Sequence, residues 1–213
     1  MLTIDIVADF VCPWCFIGKR RLEVAAASLR QDFPEVLVQT RWRPFFLNPD
    51  TPPEGEPYLP FLEHKFGCRS AVEALFDRVR SGGRPYGVDF AFEKIALRAN
   101  TLLAHRLVSW AQQRGPADAL VERLFVAQFL LGEAIGDPAV LARIAGECGY
   151  PTDQWLAWSA DSGDIAQLLA DAQGLRQLGI NQVPTFIVNG QRVVVGAEDP
   201  TILVTAMREV LGK

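Results

Sequence analysis

Cys12-Pro13-Trp14-Cys15 places two thiols two residues apart, just after the strand-like run Ile4-Asp5-Ile6-Val7-Ala8 and at the start of a long helical pattern. Such a pair at a strand-to-helix junction reads as a redox dithiol. The first cysteine would cap a helix whose unpaired N–H groups and macrodipole favour an anion, which lowers a thiol pKa and supplies thiolate near neutral pH. Thiolate attacks a disulfide; thiol does not. By spacing alone the pair could also be metal-binding or incidental. A structural zinc site wants a second Cys or His pair at ligand spacing, and the chain offers only His64, Cys68, His105 and Cys148 in distant segments, so no metal is expected. Cys68 and Cys148 each read as a buried small hydrophobe.

A second feature lies far downstream. Val183-Pro184-Thr185 directly precedes an apolar strand, where proline cannot donate to a ladder and marks an edge, a start or a cis bond. Asp9, three residues before Cys12, is either a turn residue or a carboxylate that takes or returns the Cys15 proton through water. Phe10, Trp14 and Phe16 could rim a substrate, although aromatics near a helix start are more often packed. His105 reads as a satisfied surface or core histidine, and Trp155, Trp158, Phe125 and Phe129 as core.

The elements that must position these residues follow from periodicity. Cys15, Phe16, Leu22, Ala25, Ala26 and Leu29 form a helical stripe, with Pro13 in the first turn and a stop before Pro34. Val36–Arg43 reads as a second strand, completing a parallel strand–helix–strand unit. Prolines 49, 52, 53, 57 and 60 take the chain out of the sheet in an extended connection. Helical patterns follow for over a hundred residues. Ser70-x-x-Glu73 resembles a capping box ahead of Val72, Leu75, Phe76 and Val79. Further segments run from Asn100 to Trp110, from Pro116 to Leu131, from Asp137-Pro138 to Gly149, around Trp155 and Trp158, and from Ile165 to Gly179. Two β-branched runs then flank Asn189-Gly190, a hairpin signal, and Asp199-Pro200 opens a last helix.

Composition bounds the class. The 213 residues, 49% hydrophobic and 22% charged, can bury one sizeable core, and a net charge of −4 argues against a nucleic-acid partner. Lys19-Arg20-Arg21 reads as a solvated helix face. Neither a signal peptide nor a membrane span is expected, so the expected location is the cytoplasm, away from membranes.

The string Asp9-Phe10-Val11-Cys12-Pro13-Trp14-Cys15-Phe16-Ile17-Gly18-Lys19, the Leu47-Asn48-Pro49 turn, Asn100-Thr101 with His105-Arg106-Leu107, and Gly179-Ile180 followed by Val183-Pro184-Thr185-Phe186 resemble the DsbA family, and within it the FrnE-like cytosolic branch. That resemblance implies an α/β, thioredoxin-like fold with an inserted all-helical domain. Residues 1–50 would form its first half, 51–163 the helical insertion and 164–213 the second half. It makes Cys12 the nucleophile, Cys15 the resolving cysteine and Pro184 the cis-proline, with Val183 before it on the substrate-binding loop. Pro13 and Trp14 would set the redox poise and border the substrate. The family commonly carries Gly-Ala-Gln where this chain has Gly196-Ala197-Glu198, a carboxylate in place of that amide.

The activity implied is thiol–disulfide exchange on a protein or small-molecule substrate. No cofactor is required; glutathione is a candidate co-substrate, and glutathione or thioredoxin a candidate redox partner. A homodimer is compatible with such a fold, but nothing in the spacing shows one. Two rivals remain. Kappa-class glutathione transferases and 2-hydroxychromene-2-carboxylate isomerases resemble this architecture but use serine where this chain has Cys12. The other is a non-catalytic chaperone or binding module in which the cysteines are incidental.

Overall fold

A seven-residue strand paired on both edges runs through the middle of the sheet of the first unit. This strand, β1 (Leu2–Ala8), is apolar apart from Thr3 and Asp5 and nearly all buried. It pairs in parallel with β2 (Val38–Pro44) and antiparallel with β5 (Thr185–Val188), which pairs antiparallel with β6 (Arg192–Val195). The sheet order is β2-β1-β5-β6. Register is fixed by chemistry as well as burial: Asp5 lies opposite Arg41, whose guanidinium donates to both carboxylate oxygens at 2.6 and 2.9 Å. The computed structural model describes residues 1–212.

Helix α1 (Pro13–Asp32) joins β1 to β2 and buries Cys15, Phe16, Leu22, Ala25 and Leu29 of the expected stripe, with Ala26 half-buried at its edge. It ends where Phe33 N–H donates to the Leu29 carbonyl, ahead of Pro34. The Lys19-Arg20-Arg21 face corrects the reading from sequence. Lys19 is only 4% exposed and its ammonium is held by Glu23 at 2.5 Å, while Arg21 donates to the Ala197 carbonyl at 2.5 Å. A long side chain can lie along apolar surface if its head finds a partner, which an i,i+4 glutamate supplies.

Two compact units divide the chain: Met1–Phe45 with the chain from Ala166 onward, and Phe46–Ile165. Adjacent phenylalanines mark the first division. Phe45 packs with Val7 and Leu175, whereas Phe46 packs edge-on against His105, ring centroids 5.0 Å apart. The boundaries read from sequence were 50/51 and 163/164.

The second unit is not all helical. A two-residue ladder joins β3 (Glu56–Pro57) to β4 (Leu97–Arg98), and an ion pair links Glu56 to Arg98. Its helices are α2 (Tyr58–Phe66), α3 (Arg69–Gly83), α4 (Leu102–Gln112), α5 (Asp118–Val126), α6 (Pro138–Glu147) and α7 (Thr152–Ala160), with a π-helical turn over Ala127–Leu131. The proposed capping box is absent: α3 starts two residues earlier, with Cys68 rather than Ser70 at its N-cap, and Glu73 pairs with Arg69 at 2.9 Å. Asp137 does cap α6, accepting from the Ala139 N–H at 2.7 Å. Phe125, Phe129, Trp110 and Trp155 are core, and Trp158 is half-buried.

Helix α8 (Ile165–Gln177), in the first unit from Ala166 onward, leads through Gly179 to β5, and α9 (Pro200–Val210) follows β6 with Asp199 as its cap. Asn189-Gly190 turns the β5–β6 hairpin with φ of 48° and 69°, the left-handed pair a two-residue turn needs. Asn189 also ties the turn to β1, accepting from the Thr3 N–H at 2.7 Å. Replacing Asn189 by alanine, which tolerates this φ less well and cannot accept that bond, should lower the unfolding free energy by about 1–2 kcal/mol. Urea titration checks this; an unchanged midpoint would show that the turn is not fixed by Asn189.

Candidate redox site

The start of α1 is built to present a sulfur. Cys12 has extended backbone (φ −98°, ψ 107°) and occupies the N-cap, Pro13 takes the first helical position without an N–H to satisfy, and no acidic side chain stands in the first turn. The positive end of the helix dipole is thus left to act on whatever anion forms there. Cys12 N–H donates to the Asp9 carbonyl and Cys15 N–H to the Cys12 carbonyl, both at 3.0 Å, which fixes the loop from β1 into the helix.

The Cys12 thiol is directed at the far segment: its Sγ donates to the Val183 carbonyl at 3.7 Å, across 171 residues of sequence. The Val183–Pro184 bond is cis. That loop is braced on both sides. Ile180 and Val183 pack against Val7, Phe45 and Leu175, the Thr185 hydroxyl donates to the Gln182 carbonyl at 2.7 Å, and Gly196 N–H donates to the Pro184 carbonyl at 2.8 Å.

The two cysteines are a free dithiol and both are buried, Cys12 at 5% exposure. Cys15 is 1% exposed and its pKa is pushed well above the ordinary thiol value, first by burial and then by its hydrogen bond to Cys12 and the charge there. The Asp9 backbone pulls it down and the charge of Asp9, itself buried, pushes it up. At neutral pH Cys15 therefore holds its proton. Pro13 and Trp14, between the cysteines, are half-exposed, whereas Phe10 and Phe16 are buried and form no rim.

The structure thus brings Asp9, Cys12, Cys15, Val183 and Pro184 together. His64, Cys68, His105 and Cys148 all belong to the second unit, and no group of three or more His, Cys, Asp or Glu among the described residues is arranged to hold a metal ion. Neither outlying cysteine is a buried hydrophobe. Cys68 is exposed between α2 and α3, with its pKa lowered by the Ser70 hydroxyl and then the Ala71 N–H; Cys148 is half-exposed at the end of α6. A residue the sequence reading passed over is Gly18, buried on α1, where a Cβ would lie 2.8 Å from Pro184 Cγ. Its signal was a glycine inside an otherwise apolar helical stripe, three residues beyond Cys15.

A sequence profile described as the DSBA-like thioredoxin domain matches residues 3–208. Among solved structures, the probable DsbA oxidoreductase SCO1869 from Streptomyces coelicolor is similar with a TM-score of 0.89 and 25% identity, over 100% of this chain and 91% of that one. A 2-hydroxychromene-2-carboxylate isomerase is similar in fold with a TM-score of 0.67 and 16% identity, over 98% and 96%. The cytosolic disulfide reductase DsbM from Pseudomonas aeruginosa, with GSH, is similar in fold with a TM-score of 0.64 and 18% identity, over 99% and 97%.

The contrast between the sulfurs has a direct readout. Brief treatment of the reduced protein with iodoacetamide at pH 7 should modify Cys12 and exposed Cys68 and leave Cys15 unmodified, with Cys15 labelling rising only well above pH 9. Peptide mass mapping checks this. Equal labelling of Cys12 and Cys15 at pH 7 would contradict the geometry.

Proposed function

The chain belongs to the DsbA-like thioredoxin-domain family, and from that premise we propose that it is a thiol–disulfide oxidoreductase working through Cys12 and Cys15. The observation that carries the reading is the Cys12 sulfur, seated at the N-cap of α1 and facing the Val183 carbonyl at 3.7 Å, with buried Cys15 behind it.

Cys12 thiolate attacks one sulfur of a substrate disulfide; a Cys12–substrate disulfide forms and the other substrate sulfur leaves as thiolate. Cys15 then gives up its proton and attacks the Cys12 sulfur. The Cys12–Cys15 disulfide forms and the substrate is released with two electrons gained. The reverse sequence oxidises a substrate dithiol. Asp9 is the acceptor for the Cys15 proton, through water, because it is a buried carboxylate three residues before Cys12 whose own carbonyl holds the Cys12 N–H. Backbone groups beside Val183 bind an extended substrate next to the reacting sulfur, as an exposed strand edge would. Pro13 and Trp14, half-exposed between the cysteines, border that substrate and tune the pair.

The substrate is a disulfide- or thiol-bearing protein or small molecule, and glutathione or a thioredoxin-like dithiol returns the pair to its starting state; no bound cofactor is called for. The FrnE-like assignment and a cytosolic setting belong to this proposal, supported by the fold shared with a cytosolic disulfide reductase. No helix among the described residues is long and apolar enough to cross a membrane. The fold is equally shared with a 2-hydroxychromene-2-carboxylate isomerase, which keeps a glutathione-dependent isomerase or transferase as the second reading. The free dithiol favours the first.

Three variants separate the steps. Cys12→Ser should reduce the rate of peptide-disulfide reduction to the uncatalysed background. Cys15→Ser should accumulate a mixed disulfide at Cys12, visible by intact mass. Asp9→Asn should slow decay of that mixed disulfide in the Cys15-containing enzyme by about tenfold to a hundredfold while its formation rate holds. Undiminished turnover by Cys12→Ser would end the exchange reading.

A further inference from the structure

Gly18 is an odd residue to find inside a helix. It lies in the interior of α1, buried, with backbone that any residue can adopt, where alanine would be the better helix former. What excludes a side chain is space. A Cβ there would lie 2.8 Å from Pro184 Cγ, 3.1 Å from Phe186 Cζ and 3.4 Å from Pro184 Cβ. Neither neighbour is a flexible chain end: one is a pyrrolidine ring and the other a fully buried aromatic ring.

Gly18 follows Cys15 by three residues, so both lie on one face of α1 and that face meets the Pro184 loop. The loop has little freedom to yield locally, because the Pro184 carbonyl is held by Gly196 N–H and β5 begins at the next residue, paired with β1. An added methyl group would therefore push the loop away from α1 as a piece and lengthen the approach between Cys12 Sγ and the Val183 carbonyl, 3.7 Å in the native chain.

We propose that Gly18 is a positioning residue for polypeptide substrates: by lacking a side chain it lets α1 close on the Pro184 ring and so holds the Val183 backbone beside the Cys12 sulfur. This rests on the exchange reading above. The consequence is selective. An extended chain laid along Val183 depends on that spacing, whereas a small disulfide that needs only the Cys12 sulfur does not. Gly18 thus separates peptide disulfides from small disulfide reagents as substrates.

The test uses the full chain carrying Cys68→Ser and Cys148→Ser, so that only the dithiol reacts, with Gly18→Ala and, as control, Gly174→Ala on α8, where a Cβ meets nothing within 4 Å. The probes are a peptide with one intramolecular disulfide and 5,5′-dithiobis(2-nitrobenzoate). Gly18→Ala should lose about tenfold in kcat/KM for the peptide, mostly in KM, and change less than about twofold with the small reagent, while Gly174→Ala matches the parent. A loss shared equally by both probes, or no loss with the peptide, overturns the proposal and leaves the exchange reading standing. A parent protein inert toward both probes removes the exchange reading and the proposal with it.

A double-mutant cycle with Pro184→Ala checks the route, since that substitution removes the Cγ in closest contact. Adding Gly18→Ala to Pro184→Ala should then cost less than about twofold further, and a full tenfold cost would overturn action through Pro184. If Gly18→Ala alone does not fold, the double variant should fold and match Pro184→Ala; a double variant that also fails to fold overturns the proposal.

Discussion

Cys12 Sγ approaches the carbonyl of a residue 171 positions away, and most of the first unit bears on that 3.7 Å separation. The sulfur is fixed from one side by β1 and the first turn of α1, through the Asp9 and Cys12 carbonyls. The carbonyl is fixed from the other side by β5, which pairs with the same β1, and by the Gly196 clamp on Pro184. A single buried strand is therefore the common reference for both halves of the site. Because β1 is hydrogen-bonded on both edges, it cannot shift register without turning Ile4 and Ile6 out of the core.

From that placement comes an asymmetry between two chemically identical side chains. Cys12 sits where the free N–H groups and dipole of α1 converge, with no first-turn carboxylate to oppose them. Cys15, three residues on, turns into the core, where burial and its bond to Cys12 hold its proton. A dithiol whose second sulfur holds its proton suits a two-step exchange, in which that sulfur should be silent until a mixed disulfide has formed.

Local chemistry in the sequence located much of the fold. The Asn189-Gly190 turn, the Asp137 and Asp199 caps and the α1 stripe are decided by residues that touch one another along the chain. Where the reading missed, the deciding partner was distant or the signal was misleading. Helix α2 forms inside a proline-rich stretch because Pro57 is its N-cap and Pro60 lies in its first turn, where an N–H would have no intrahelical partner. Strands of two residues, β3 and β4, are too short to show alternation. The buried stem of Lys19 and the exposed thiol of Cys68 invert composition-based expectation, and each follows from neighbours: Glu23 in one case, the Gly67 turn between two helices in the other. The CxxC and Val-Pro segments could each be named from sequence, but the sulfur-to-carbonyl approach and the fit of Gly18 against Pro184 exist only once β1 and β5 pair.

The most direct test of the central claim is the equilibrium of the Cys12–Cys15 pair with glutathione buffers, resolved by mass after acid quench. Thiol–disulfide exchange through this pair gives one reversible two-electron couple, with an intramolecular disulfide as the oxidised form and a potential between about −270 and about −120 mV. If no Cys12–Cys15 disulfide forms in any buffer and glutathione binds intact instead, the exchange account is wrong and the glutathione-dependent isomerase or transferase reading takes its place.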